Sequence, residues 1–279
     1  MTVHAGRPPT EASPARLPAH ARMAPMHALA RLLLAAFALM PAACASHQSD
    51  STPAASAGAK LRVASYNVSL YDDQAGGLVR RLEAGDEGAR KVAAVLQQVR
   101  PDLVLLNEFD YDAQGRAADL FQRHYLEQPQ SGGGDALHYP YRYFAEVNTG
   151  VPSGLDLDRN GTVGGEGRAR GNDAWGYGLH PGQYGMLVLS KYPIEADQVR
   201  SFRLLPWAAM PGARRPIDPA SGQPWHDDAI WAQLRLSSKS HWDVPVRTPA
   251  GTVHLLASHP TPPVFDGPED RNGARNADE

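Results

Sequence analysis

The order of apolar and polar residues after position 61 predicts a fold built from strands and helices. Leu61–Ser69 alternates apolar and polar side chains, which is typical of a half-buried strand. A helix is predicted over Ala89–Arg100, where apolar residues recur at helical spacing: Val92, Val95, Leu96 and Val99. Pro101 ends this helix, and the apolar run within Asp102–Asn107 predicts a strand buried on both faces. Strand, helix and strand in this order indicate a βαβ unit with two parallel strands.

The rest of the chain predicts further strands separated by long loops. A second helix is expected over Arg116–Tyr125. The further predicted strands are Tyr141–Glu146, Tyr184–Leu189, Ile230–Leu236 and Thr252–Ser258. Ile194–Phe202 is expected to be the antiparallel partner of the strand that ends at Leu189, and the Pro-rich segment 203–228 is expected to be irregular. From Pro260 onward the chain is polar, and no further apolar element follows.

The first sixty residues have the pattern of an export signal followed by a tether. Arg31 precedes the apolar run 32–40, which is too short to span a bilayer, and small residues then lead to Cys44, the single cysteine. A cysteine at this place predicts a lipobox and lipidation, with ordinary signal-peptide cleavage as the alternative. Residues 1–45 are assigned to an upstream extension and signal peptide, and residues 46–60 to a flexible linker. We expect a periplasmic or cell-surface lipoprotein with an outer-membrane lipid anchor, or otherwise a secreted protein.

Composition narrows the range of partners. Hydrophobic residues make up 42% of the chain, as in a globular protein rather than a disordered one. The formal net charge is -3, so the chain lacks the basic footprint of proteins that bind long DNA non-specifically. A small or locally recognised phosphoester therefore fits better. No specific protein partner is indicated, and a monomer is expected.

Polar side chains stand at the ends of three predicted strands. Asn67 ends the first strand, Glu108 ends the second, and His259 follows the last. Ligands bind beyond the carboxyl ends of strands in sheets built from βαβ units, so these side chains can reach one shared site. A carboxylate suits Mg²⁺ or Mn²⁺, and an imidazole can contact a phosphoryl oxygen or transfer a proton. Taken singly, each residue is more often a polar strand end that meets water.

Two other groups of residues are candidates for ligand contact. One has the Asp-x-Asp-x-Asn-Gly layout of a Ca²⁺ loop and comprises Asp156, Asp158 and Asn160. The glutamate expected at the twelfth position is absent, because Gly167 stands there, and a polar Asx-turn loop explains the same residues equally well. Lys239 and His241 can add positive charge to a phosphate site, with a solvated strand edge as the alternative.

The segments that carry the three strand-end residues resemble a known family in their order and separation. They are Ser65–Val68, Arg100–Glu108, Tyr184–Ile194 and the strand that reaches Ser258-His259. Over residues 61–279 the chain resembles the endonuclease/exonuclease/phosphatase (DNase-I-like) superfamily. The blocks 236–246 and 258–272 resemble a bacterial, secreted subgroup of that superfamily. The resemblance implies an α/β fold, a four-layer α/β/β/α sandwich with two mixed sheets, which we expect to be incomplete at the C-terminus.

The same resemblance implies a metal-dependent hydrolase of phosphoester bonds. By matching position, Glu108 would bind Mg²⁺ or Mn²⁺, Asn67 would assist at the metal and orient the phosphate, and His259 would contact the scissile phosphate. The family also uses an Asp-x-Asn and a terminal Asp-His pair. The chain has no Asp-His, and the segments 158–160 and 270–272 match Asp-x-Asn by letter without following an apolar strand.

These missing motifs lead to two expectations about the chain as given. The first is a C-terminally truncated phosphodiesterase, nuclease or phosphatase whose activity and folding are impaired, because missing strands leave an open sheet edge. The alternative is a non-catalytic, surface-tethered binding protein that keeps the scaffold. Asn67, Glu108 and His259 favour descent from an enzyme, and the missing motifs favour the binding protein.

Overall fold

A computed structural model describes residues 60–279 of the chain. The predictions for the signal peptide, the linker and Cys44 therefore lie outside the described residues. Within residues 60–279, no helix combines the length and the apolar character needed to cross a membrane.

The described residues form seven strands and six α-helices, joined by long loops. The strands are β1 (Val63–Leu70), β2 (Leu103–Phe109), β3 (Tyr141–Phe144), β4 (Met186–Ser190), β5 (Arg200–Ser201), β6 (His241–Thr248) and β7 (Gly251–Ser258). The helices are α1 (Gly77–Ala84), α2 (Glu87–Val99), α3 (Arg116–Phe121), α4 (Gly167–Asn172), α5 (Asp228–Trp231) and α6 (Arg271–Asp278). A π-helical turn, Gln122–Leu126, continues α3, so the predicted helix at 116–125 is confirmed. Short 3₁₀ turns lie at Ala196–Gln198 and Trp207–Ala209.

The first sheet is mixed and contains the predicted βαβ unit. Its strand order is β1-β2-β4-β3. β1 and β2 are parallel, with Asn67 opposite Asn107, whereas β4 runs antiparallel to both of its neighbours. Between β1 and β2 the chain forms α1, which the sequence did not predict, and then α2. This arrangement brings the carboxyl ends of β1 and β2 to the same edge of the sheet.

Helix α2 buries only part of the apolar stripe from which it was predicted. It begins where the Asp86 side chain accepts a hydrogen bond from the Ala89 amide at 2.7 Å, and it ends before Pro101. Two residues of the predicted apolar stripe, Val92 and Leu96, are buried. The other two are largely exposed, with Val95 at 42% and Val99 at 41%. Small residues, Ala89 and Ala93, complete the buried face in their place.

The second sheet, β5-β6-β7, differs from the predicted strand pattern in two places. The expected strand at 230–236 is wrong: the Asp227 side chain caps a short helix by accepting from the Ile230 amide at 2.8 Å. The expected pairing of 194–202 with β4 is also wrong. Both sides of β4 are occupied by β2 and β3, so the segment crosses to the second sheet, where Ile194 pairs with Val246 and β5 pairs with β6.

Strand β6 was missed because its sequence breaks the usual strand pattern. Pro245 lies at its centre, and a proline within a sheet lacks the amide that a neighbouring strand needs. The structure accommodates it because β5 pairs only with Trp242 and Asp243. The segment beside Pro245 on that side is the short stretch around Glu195, whose amide donates to the Pro245 carbonyl at 3.0 Å. β7 matches the predicted strand 252–258 and is antiparallel to β6 along its whole length.

The two sheets and the helices enclose separate cores in layers. One face of the first sheet, with Val104, Leu106 and Leu187, packs against helices α1, α2 and α3. The opposite face, with Leu105 and Val188, packs against the second sheet through a cluster that includes Trp242, Val244 and Val246. The chain therefore has a mixed α/β fold with two facing sheets. The fourth, outer helical layer of the predicted sandwich stays a prediction.

Candidate active site

The three strand-end residues predicted from the sequence lie together at one edge of the fold. The Asn67 side chain donates a hydrogen bond from Nδ2 to Glu108 Oε1 at 2.8 Å. His259 Nε2 lies 3.9 Å from the same carboxylate oxygen. Asn67 and Glu108 come from the parallel pair β1–β2, whereas His259 follows β7 of the other sheet. The loop after β7 thus brings an imidazole from the second sheet against a carboxylate of the first.

A backbone irregularity positions the carboxylate. The pairing of β1 with β2 shifts between Asn67 and Leu70, so β1 contains one residue more than β2 over this stretch. Glu108 has a φ of 59° and Ser69 a φ of 48°, a left-handed conformation that non-glycine residues rarely adopt. Strained backbone of this kind clusters at functional sites, where the surrounding structure holds it in place. At Glu108 it aims the carboxylate toward Asn67 and His259.

Lys239 brings a positive charge to the same place. Its side chain is 7% exposed, and it lines a cavity with Asn67, Glu108 and His259. Within residues 60–279 no hydrogen bond or ion pair engages its ammonium group. Burial lowers the pKa of Lys239 to about 8, although the charges of Glu279 and Glu108 act in the opposite direction. A buried ammonium without a protein partner is costly, and an anion in the cavity would provide the missing partner.

His259 is held as a neutral imidazole. Burial lowers its pKa to about 3, and the nearby Lys239 charge lowers it further. The Nδ1 atom is buried and has no hydrogen-bond partner among the described residues. At neutral pH the ring therefore offers one N–H donor and one free acceptor nitrogen rather than a positive charge.

The cavity has a volume of about 620 Å³, within the range of small-molecule sites. Glu108 is the only carboxylate among the described residues that line it. Cationic side chains also line it, namely Arg168, Arg271 and Arg275 besides Lys239. The charge balance of the wall therefore favours an anionic ligand.

Two other predicted groups differ in their position relative to this cavity. His241 begins β6 and is not among the lining residues, and its Nε2 is buried without a hydrogen-bond partner among the described residues. The segment 158–160 lies in a loop, and Asp270 precedes α6, so neither Asp-x-Asn segment follows a strand. Arg271 and Asn272 of the second segment line the cavity, and the expectation that neither segment is the family's catalytic motif stays a prediction.

The candidate calcium loop contains an acidic cluster whose third member was not predicted. Carboxylate oxygens of Asp156, Asp158 and Asp173 lie within 4.8 Å of one another. The Asn160 side chain accepts a hydrogen bond from the Thr162 amide at 2.8 Å. Asp173 is buried and accepts backbone hydrogen bonds, including one from the Leu157 amide at 2.7 Å. Both the calcium loop and the Asx-turn loop are compatible with this geometry, and calcium binding stays a prediction.

Several aromatic residues that line the cavity were missed by the sequence analysis. Tyr71 and Tyr184 have ring centroids 4.5 Å apart, and Trp175 and Tyr177 lie on the same wall. The buried Asp110 carboxylate anchors this wall, because it accepts from the Asp72 amide at 2.9 Å and from the Tyr184 amide at 3.0 Å. The only sequence signal was the position of Asp110 just after β2.

The family of the chain follows from its match to a family model. The model of the Endonuclease/Exonuclease/phosphatase family matches residues 64–274, and the chain belongs to that family. The name of this family refers to endonucleases, exonucleases and phosphatases. The predicted resemblance is thereby confirmed at the level of the family.

Comparison with solved structures gives a weaker likeness. The chain is similar to the endonuclease/exonuclease/phosphatase from Beutenbergia cavernae DSM 12333, with 20% sequence identity and a TM-score of 0.34. The match covers 78% of this chain and 41% of the other, so the chain spans about two fifths of that protein's length. No curated protein matches the chain.

Proposed function

We propose that this chain hydrolyses a phosphoester with the help of Mg²⁺ or Mn²⁺, as a phosphodiesterase, nuclease or phosphatase. The observation that supports the proposal is the convergence of Asn67, Glu108 and His259 on one cavity, beside the unpaired ammonium of Lys239. An amide, a carboxylate, an imidazole and a buried cation together provide donors for phosphoryl oxygens and an anionic oxygen for a metal.

The donor set fits a divalent metal that keeps most of its coordination for water and substrate. Mg²⁺ is commonly held by one or two carboxylates together with substrate phosphate oxygens. Glu108 would supply the carboxylate, and the Asn67 amide oxygen, which accepts from the Ser69 amide at 3.2 Å, would be the neighbouring neutral ligand. When bound, the cation would neutralise phosphoryl charge and stabilise the leaving oxygen.

The protein's own side chains have separate tasks in this proposal. Lys239 pairs with a phosphoryl oxygen, in a buried position where a charge-assisted hydrogen bond is strong. The neutral His259 donates a hydrogen bond to a second phosphoryl oxygen. Asn67 fixes the Glu108 carboxylate through the 2.8 Å hydrogen bond. The backbone bulge at β1 places Asn67 beside Glu108 before any substrate arrives.

The test is metal-dependent hydrolysis of bis(4-nitrophenyl) phosphate by the full chain. Turnover is expected with Mg²⁺ or Mn²⁺, and it should stop when a chelator is added. Glu108→Gln should lower the rate by roughly two orders of magnitude or more, because it removes the anionic oxygen from the site. The matched control is Glu87→Gln, since Glu87 is exposed in the first turn of α2 and should keep the full rate.

The alternative, a non-catalytic protein that keeps the scaffold, gives a different result in the same experiment. Such a protein would bind inorganic phosphate through Lys239 and show no turnover above the buffer rate with any divalent metal. Equal rates for the wild type and Glu108→Gln would also contradict the role proposed for Glu108.

A further inference from the structure

The wall of the cavity carries more positive than negative charge. The basic residues that line it are Lys239, Arg168, Arg271 and Arg275. Arg275 is compensated by a carboxylate outside the lining, because its Nε lies 3.7 Å from Glu279 Oε1. Within residues 60–279, neither Arg168 nor Arg271 forms an ion pair. A single phosphoryl group bound at Lys239 would therefore leave further positive charge in the wall without an anion.

The hydrogen bonds of the three guanidinium groups distinguish Arg168 from the other two. Arg275 donates three hydrogen bonds to backbone carbonyls. Arg271 donates to the Leu157 carbonyl at 2.6 Å. The guanidinium of Arg168, by contrast, donates to no group among the described residues, and the residue is exposed. Arg271 and Arg275 therefore help to hold the wall together, whereas the N–H groups of Arg168 are available to a ligand.

A tyrosine holds the Arg168 guanidinium at the cavity. The guanidinium carbon lies 5.9 Å from the centroid of the Tyr177 ring, which is a cation–π contact. The ring packs directly on the helix that carries Arg168, because a Cβ at Gly171 would lie 2.8 Å from it. A contact with the ring face leaves the N–H groups at the edge of the guanidinium free to donate. Arg168 therefore contributes a planar set of donors to the cavity wall.

The short helix α4 is anchored at its C-terminal end. Asn172, its last residue, also lines the cavity and donates from Nδ2 to Asp158 Oδ2 at 2.9 Å. The buried carboxylate of Asp173, the next residue, accepts from the Gly164 amide at 2.7 Å. A helix of six residues is not stable by itself, so these contacts fix its position. The backbone that carries the free guanidinium is thus in place before a ligand binds.

We infer that Arg168 binds a second oxyanion group of the substrate, so that the substrate is a small phosphoester whose organic part is itself anionic. This inference rests on the proposed function, which places the reacting phosphoryl group at Glu108 and Lys239. Because Arg168 and Lys239 line one cavity of about 620 Å³, a single small molecule that fills it contacts both. A guanidinium suits this task, since its planar fork of donors matches the two oxygens of an oxyanion.

The direct test compares two series of phosphonates that differ only in a terminal carboxylate. The ω-carboxyalkylphosphonates carry a second anion, whereas the alkylphosphonates of equal chain length end in a methyl group. Neither series can be hydrolysed as an ester, because a P–C bond replaces the ester P–O bond. Members of increasing chain length are titrated calorimetrically into the full chain with Mg²⁺ present. At least one carboxylate form should bind roughly tenfold or more tightly than its methyl counterpart, because its second contact is intramolecular.

Three substitutions locate this preference in the structure. Arg168→Gln should abolish it, while the affinity for alkylphosphonates stays unchanged and shows that the protein is folded. Arg168→Lys should retain only part of the preference, because an ammonium group cannot form the paired hydrogen bonds of a guanidinium. Arg170→Gln is the matched control and should keep the full preference, since Arg170 is exposed on the same helix and does not line the cavity.

The outcomes separate this inference from the proposed function. If no carboxylate form binds the wild type more tightly than its methyl counterpart, the inference is overturned and the phosphate site stays intact. A preference that survives in Arg168→Gln, or that is lost equally in Arg170→Gln, would overturn the assignment to Arg168. If neither series binds, the proposed function and the inference both fail.

Discussion

The amide of Asn67 and the carboxylate of Glu108 are joined by a 2.8 Å hydrogen bond between two parallel strands. The two residues are far apart in the sequence, and the βαβ unit places them at the same sheet edge. The bond fixes the orientation of the carboxylate without burying it, because Asn67 is exposed and the Glu108 side chain is 23% exposed. Its contribution should therefore appear in activity more than in stability.

Asn67→Ala is expected to lower kcat for bis(4-nitrophenyl) phosphate by roughly ten- to a hundredfold, because the Glu108 carboxylate loses its fixed orientation. The free energy of unfolding should change by less than about 0.5 kcal/mol, as for other exposed positions. Steady-state kinetics and urea titration measure the two quantities. A large loss of stability together with unchanged kcat would contradict the positioning role of Asn67.

Phosphate binding should weaken as the pH rises through about 8. The Lys239 ammonium, whose pKa burial lowers to about 8, is charged below this pH and loses its charge above it. The dissociation constant of sulfate, whose own charge is constant in this range, should therefore rise by roughly tenfold or more between pH 7 and pH 9, as a charge-assisted hydrogen bond is lost. Calorimetry across this range provides the measurement.

Lys239→Arg serves as the control for this pH dependence, because a guanidinium keeps its charge throughout the range. The variant should bind sulfate with little change between pH 7 and pH 9. If the wild type also shows constant affinity across this range, Lys239 does not contact the anion.

Lys239→Met should make the free protein more stable while it weakens anion binding. The pKa of Lys239 falls from 10.5 to about 8 on folding, so the unfolded chain holds this proton more tightly. The free energy of unfolding of the wild type should therefore rise with pH between about 8 and 10.5. At pH 7 the buried charge costs on the order of 3 kcal/mol, which methionine removes. A lower Tm for Lys239→Met would contradict this expectation.

Asp110 should give the fold a pH dependence in the acidic range. Burial raises the pKa of this carboxyl to about 6, so the folded state favours the protonated form. The stability gained by protonating Asp110 in the folded state is fully present below the unfolded pKa of about 3.8. This stability is lost as the pH rises through about 6. Asp110→Asn should therefore destabilise the protein more at pH 4 than at pH 7, as measured by urea unfolding.

Asp110→Ala should destabilise at both pH values, because it removes the acceptor for two backbone amides, those of Asp72 and Tyr184. Each buried amide left without an acceptor costs about 1–3 kcal/mol. The free energies of unfolding of Asp110→Asn and the wild type should differ by an amount that changes with pH. A constant difference from pH 4 to pH 7 would argue against titration of this carboxyl.

Export with a lipid anchor is a separate prediction and concerns the residues before position 60. Expressed in a bacterial host, the full chain should incorporate labelled palmitate and fractionate with the outer membrane. Cys44→Ser should abolish both, because Cys44 is the only cysteine in the sequence. Labelling that persists in Cys44→Ser would rule out this residue as the anchor.

The parts of the fold that could be predicted are those fixed by local patterns. The apolar run before Glu108 and the helical stripe before Pro101 specify the βαβ unit, and the unit itself fixes where Asn67 and Glu108 meet. Strand β6 could not be predicted, because Pro245 is tolerated through the segment beside it, whose Glu195 amide donates to the Pro245 carbonyl, and this is a property of the partner segment. The neighbouring strand β7 contains no proline and was predicted from the sequence.

The candidate site shows the same division. Asn67 and Glu108 lie near the carboxyl ends of β1 and β2, and His259 follows β7, so their convergence could be predicted from topology. Asp173 joins Asp156 and Asp158 only because the chain between them folds back, and no spacing rule indicates such a contact.

The left-handed backbone at Glu108 has a consequence for selection on this position. Glycine adopts a φ of 59° without steric cost, whereas an L-residue there is destabilised by roughly 1–2 kcal/mol. Glu108→Gly should consequently leave the melting temperature nearly unchanged, since the relieved strain offsets the greater freedom of glycine in the unfolded chain. Glycine could therefore occupy position 108 without loss of stability, yet the chain has glutamate there. The need for a carboxylate in the site, rather than the backbone conformation, explains this residue.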